Sequence, residues 1–79
     1  MANSQATEVA LELMARIEAY HVAQALFLLP DGSVRMHKAT GMDSLRLASA
    51  NPESFVGVYN RHAAIADVTA DILALCRIH

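Results

Sequence analysis

The sequence has few of the residues that cross-link, interrupt or charge a small domain. Among 79 residues there is one cysteine, there are two prolines and three glycines, and there is no tryptophan. A single cysteine excludes an intrachain disulfide framework. Six basic residues stand against eight acidic ones, so the chain lacks the basic surplus of a nucleic-acid or anionic-membrane binder. We therefore expect no direct binding to nucleic acid and no binding to membranes.

Low charge is matched by a high apolar content. Charged residues make up 18% and hydrophobic residues 54% of the chain, against about 25% and roughly 45–50% in ordinary globular proteins. This composition excludes a disordered chain. A domain of this size buries only about 60% of its unfolded surface, so apolar side chains remain outside. Such patches indicate an oligomer or a partner, and we expect a homo-oligomer, with a dimer favoured.

Export and membrane signals are lacking as well. Residues 1–6 carry neither a basic nor an apolar segment of a signal peptide, which together with the lone cysteine predicts a cytoplasmic protein. The longest uncharged stretch, residues 19–30, is too short to span a bilayer.

The pattern predicts a single α+β domain over residues 1–79 with the element order α-β-β-α-α. A flexible N-terminus over residues 1–4 precedes a helix that starts after Ser4 and ends near His21. Its apolar residues recur at three- and four-residue spacing. A hairpin follows, then a short helix over residues 44–50. Asn51 and Pro52 form a helix-start signal, which predicts a long last helix to about Arg77, packed on the first helix and the hairpin.

The hairpin prediction is specific about register. Pro30, Asp31 and Gly32 are typical of a type I turn closed by a bulge. In that register Leu29 pairs with Ser33, and Leu26, Leu28, Val34 and Met36 form the core face. Phe27, Leu29, Arg35 and His37 then lie on the opposite face. Because a two-stranded sheet is marginal alone, helices or another chain must cover both faces.

The predicted last helix has an apolar arc wider than the usual stripe of a surface helix. Either the first helix and the hairpin bury this arc, or part of it packs against a second protomer or another protein. The second interpretation, together with the large side chains on the hairpin's opposite face, gives a candidate interface of eight residues: Phe27, Leu29, Val58, His62, Ile65, Val68, Ile72 and Leu75.

Acidic residues recur on the exposed sides of the predicted helices. The candidate acidic face consists of Glu8, Glu12, Glu18, Asp67 and Asp71. A solvated exterior is the simpler interpretation. The functional alternative is a surface that covers a basic site on a partner.

Constellations for catalysis or metal binding are weak. Cys76 and His79 have metal-ligand spacing, but a structural zinc needs four ligands and there is no second cysteine. His21 and His37 come from different elements. The residues from Tyr59 to His62 would radiate in four directions on a helix. We therefore predict no enzyme activity, no cofactor and no metal, and the less favoured alternative is a metal protein or an enzyme with a site built across subunits.

These observations favour a small non-catalytic protein-binding module that inhibits or regulates a larger complex by steric cover. In size, mild acidity and lack of motifs the chain is similar to mobile-element-encoded inhibitors of bacterial defence such as anti-CRISPR proteins, although no stretch of sequence is shared. Such a function implies cover of a basic or nucleic-acid-binding site. An accessory subunit or an antitoxin-like regulator is the alternative.

Overall fold

A computed structural model of the chain describes residues 1–40 and 42–78, with side chains for all of these except residues 42–44. Three helices and three strands follow the order α1 (Asn3–Tyr20), β1 (Gln24–Leu28), β2 (Val34–Lys38), α2 (Met42–Ala50), β3 (Phe55–Tyr59) and α3 (Ile65–Ile78). The α+β class is confirmed. The strands form an antiparallel sheet of order β2-β1-β3.

Helix α1 agrees with its prediction to within two residues at the start and one at the end. It begins at Asn3, so Asn3 and Ser4 belong to its first turn, and Ala2 stands at the N-cap. Ala2 has no side-chain acceptor, and its backbone N–H donates to Gln5 Oε1 at 2.9 Å. At the other end His21 adopts a left-handed conformation, with φ 55°, which closes the helix.

The hairpin register is confirmed residue by residue. Leu28 pairs with Val34, and Leu26 pairs with Met36. The N–H of Leu29 donates to the Ser33 carbonyl at 2.9 Å. Gly32 supplies the positive φ, 91°, that the turn requires.

The long last helix is wrong. Residues 55–59 form strand β3, which pairs antiparallel with β1, and α3 begins only at Ile65. Two aromatic and two β-branched residues surround Gly57 in this segment. Aromatic and β-branched side chains favour strands, whereas a glycine costs a helix interior about 1 kcal/mol. Pro52 lies in a turn instead of opening a helix.

The third strand also explains why β1 is buried along its whole length. It is the central strand, and β2 and β3 lie parallel to one another on either side of it. The chain passes from one edge to the other through residues 39–54, which include α2. A crossover of this length is what two parallel strands require.

The core lies between the sheet and the helices α1 and α3. This helix side of the sheet closes well, because its central residues are at most 3% exposed. The buried set comprises Ala6, Ala10, Leu13, Ile17, Leu26, Leu28, Val68 and Ile72. The opposite side, which we call the far face, carries the alternate residues of each strand.

Candidate functional site

The structure separates the eight predicted interface residues. Val68 and Ile72 are 0% and 1% exposed within the core, and Ile65 and Leu75 pack half-buried against it. Val68 and Ile72 therefore follow the first interpretation of the apolar arc, burial within the chain, and Ile65 and Leu75 follow it in part. His62 is not on a helix at all, because it lies exposed in the turn between β3 and α3.

Phe27 and Leu29 reach the far face, as the hairpin register predicts. The Phe27 ring contacts the His37 ring edge-on at 5.7 Å and the Phe55 ring at 5.4 Å, both measured between centroids. These neighbours leave Phe27 only 3% exposed. A shallow groove of about 290 Å³ borders it, and Leu47 of α2 lines the groove together with Leu29. The C-terminal end of α2 thus covers part of the far face.

The two edges of the sheet differ in charge. Strand β2 exposes Arg35 and Lys38 along its edge, a common device against strand association. Strand β3 has no charged residue, and its fourth residue, Val58, is 53% exposed. Of the two edges, only that of β3 is unprotected by charge.

The backbone of β3 has groups free to pair at this edge. The N–H of Ala39 donates to the Ala23 carbonyl at 2.8 Å, and Leu29 and Ser33 bond likewise, so the odd-numbered residues of β1 bond to β2. Because hydrogen bonds alternate along an antiparallel strand, Tyr59 and Gly57 bond to β1. The N–H and carbonyl of Val58 consequently point outward.

Tyr59 ties β3 to α3 on the helix side. Its hydroxyl donates a hydrogen bond of 2.7 Å to Asp71 Oδ2. Burial, and then this hydrogen bond, raise the pKa of Tyr59 well above its ordinary value of 10.0. Of the predicted acidic face, Asp71 is therefore engaged within the chain.

All five residues of the acidic face are exposed. Among the residues whose side chains are described, none of these carboxylates forms an ion pair. Arg16, the natural helical neighbour of Glu12, turns instead to Gln24 Oε1 at 3.1 Å and lies 5.3 Å from the centroid of the Tyr20 ring. Apart from Asp71, which accepts the hydrogen bond from Tyr59, these carboxylates are thus left to solvent or to a partner.

A cleft of about 700 Å³ opens where the end of α1 meets the turn after β3. From α1 and its exit come Met14, Ile17, Glu18, His21 and Val22, and from the turn come Asn60, Arg61 and His62. The sequence pattern does not predict this grouping, because it favours a helix over residues 60–62, where the three side chains would diverge. The end of β3 instead brings three consecutive polar residues to one cleft.

Metal ligands do not converge within the described part of the chain, where no group of three or more His, Cys, Asp or Glu side chains is placed to hold an ion. His79, whose spacing from Cys76 is that of a metal-ligand pair, lies outside that part. His21 lines the cleft, whereas His37 lies against Phe27 on the far face. No helix over the described residues is both long and apolar enough to cross a membrane.

Comparison of the chain with protein-family models, with curated proteins and with solved structures found no match. The β3 edge and the cleft are therefore the two features of the molecule that bear on its function.

Proposed function

We propose that the chain is a non-catalytic protein-binding module that associates through the edge of β3. The supporting observation is the contrast between the two edges of one sheet. Arg35 and Lys38 protect β2, whereas β3 presents Val58 and an outward-facing backbone with no charge nearby in the strand. An added strand would satisfy those backbone groups.

The occupant we propose is a second copy of the chain, paired antiparallel about a two-fold axis near Val58. Such an axis brings each residue opposite its own copy or that of a near neighbour. Charged side chains on an edge strand, lysine above all, oppose pairing with another strand, which disfavours β2 because it exposes Arg35 and Lys38. Strand β3 meets its own copy with uncharged side chains only.

The dimer would leave the acidic face of each protomer available. Glu8 and Glu12 lie one helical turn apart, both exposed and without an ion pair among the described side chains. This surface suits cover of a basic, nucleic-acid-binding site on a larger complex. We therefore propose a cytoplasmic steric inhibitor or regulator, of the kind encoded by mobile elements against bacterial defence. An accessory or antitoxin-like subunit is the alternative.

The dimer is tested by light scattering on purified protein, with Val58→Lys as the variant. We expect twice the chain mass of 8.5 kDa for the natural protein and the single mass for the variant, because an edge lysine opposes strand pairing. Leu45→Lys is the matched control, since Leu45 is 63% exposed on α2 and this change should leave the dimer intact. If the natural protein is still a monomer at a concentration of roughly 100 μM, far above a micromolar dissociation constant, the proposed dimer is wrong.

The inhibitory role is tested by capture from native lysate with quantitative mass spectrometry. We expect a nucleic-acid-handling protein to be recovered with the natural chain and lost with Glu8→Lys and Glu12→Lys combined. Asp31→Lys and Glu53→Lys combined, at two exposed turn residues outside the acidic face, are the charge-matched control. Equal recovery by all variants would contradict the role of the acidic face.

A further inference from the structure

Beyond protein association, we infer that the cleft between α1 and the β3–α3 turn is a binding site for a small zwitterion with an apolar body, of the size of a dipeptide. The volume of about 700 Å³ falls within the range of 300–1,000 Å³ typical of ligand pockets. Strand association at β3 and ligand binding here are separate properties, because the cleft uses residues beyond the end of the strand.

Both walls of the cleft have a fixed backbone. On the α1 wall the N–H of His21 donates to the Ile17 carbonyl at 2.8 Å, with His21 in the left-handed region. That conformation favours glycine, yet here it carries a side chain that lines the cleft. On the opposite wall the N–H of His62 donates to Asn60 Oδ1 at 2.8 Å.

Opposite charges line the cleft without meeting. The Nε of Arg61 is directed at His62 Nε2, at 3.4 Å, and among the described side chains no ion pair joins Arg61 to Glu18. Both charged groups are exposed. A ligand between them can therefore place a carboxylate at Arg61 and an ammonium group at Glu18.

The same arrangement disfavours simpler ligands. A plain anion would be repelled by Glu18, and a plain cation by Arg61. The apolar side chains of Met14, Ile17 and Val22 provide a floor for an aliphatic body. A zwitterion with apolar side chains satisfies all three requirements together.

The test is a titration of the full chain with the dipeptide Leu-Leu, followed by ¹H–¹⁵N correlation spectra. We expect saturable shifts confined to signals from residues 17–22 and 60–62. The neutral analogue N-acetyl-Leu-Leu-amide should bind at least about fivefold more weakly. This is the change in dissociation constant that corresponds to the loss of one exposed ion pair, about 1 kcal/mol.

Variants distinguish this site from unspecific binding. Glu18→Gln and Arg61→Gln should each weaken binding of Leu-Leu about fivefold, and as exposed residues they should leave the dispersion of the spectrum unchanged. Glu8→Gln and Arg35→Gln, exposed but outside the cleft, should bind like the natural chain. Absence of saturation, equal affinity for the neutral analogue, or equal loss in the control variants would each overturn the inference.

Discussion

The two sides of the sheet use apolar residues in different ways. On the helix side, Leu26 and Leu28 meet Leu13 and Ile72 from the two long helices, and the interior closes. On the far face, the rings of His37 and Phe55 and the end of α2 cover Phe27. Val58 on the same face is 53% exposed. The helix side is thus a closed core, whereas the far face has a closed centre at Phe27 and an exposed Val58 at its β3 edge.

The largest expected difference in the free energy of unfolding comes from the same leucine-to-alanine change made on each side of the sheet. Leu26→Ala removes a side chain that is 1% exposed and should lower the free energy of unfolding by about 3 kcal/mol. Leu47→Ala, at the half-buried edge of the far-face groove, should cost less than about 1 kcal/mol. Urea denaturation of both variants checks the difference. Equal losses would mean that the far face is as closely packed as the core.

A smaller effect should come from the aromatic pair on the far face. Phe27 and Phe55 lie 5.4 Å apart on neighbouring strands, and such pairs couple by about 1 kcal/mol beyond the area that they bury. A double-mutant cycle with Phe27→Leu and Phe55→Leu measures this coupling. A coupling near zero would show that α2, rather than the pair, holds this side together.

The smallest effect concerns pH and the hydroxyl of Tyr59 on the helix side. Because the pKa of Tyr59 is raised in the folded chain, its contribution to stability is complete below the ordinary value near 10 and is lost as the pH rises above it. Unfolding followed between pH 8 and 11.5 should show this decline. Tyr59→Phe should flatten it and cost about 1 kcal/mol at neutral pH, while Tyr20→Phe serves as the control. If stability falls as steeply with pH in Tyr59→Phe as in the natural chain, the loss is due to another titrating group.

Local sequence signals were sufficient for α1 and the hairpin. The spacing of Leu13 and Ile17 marks the buried stripe of α1, and Pro30, Asp31 and Gly32 set the turn and with it the strand register. Each of these signals acts over a few residues, so no distant contact is needed to interpret it. The short helix before Asn51 was predicted for the same reason.

Strand β3 and the cleft depended on distant parts of the chain. Asn51 and Pro52 resemble a helix start, and Val58, Ile65 and Ile72 recur at a helical spacing, so the local pattern favoured one long helix. The β propensity of residues 55–59 and the presence of Gly57 were the signals against it. Because β3 ends at Tyr59, residues 60–62 lie in the connection to α3, and their side chains converge beside the end of α1.

The sequence alone determined the composition, the α+β class, the first helix and the hairpin register, because these follow from periodicity and from turn chemistry within short segments. Only the tertiary structure decided that residues 55–59 pair with β1, since a strand gains its hydrogen bonds from a partner some thirty residues away. Because of that pairing, Val58 lies on an edge strand, which is the first candidate site. The same pairing places Arg61 and His62 beside the end of α1, in the cleft that is the second.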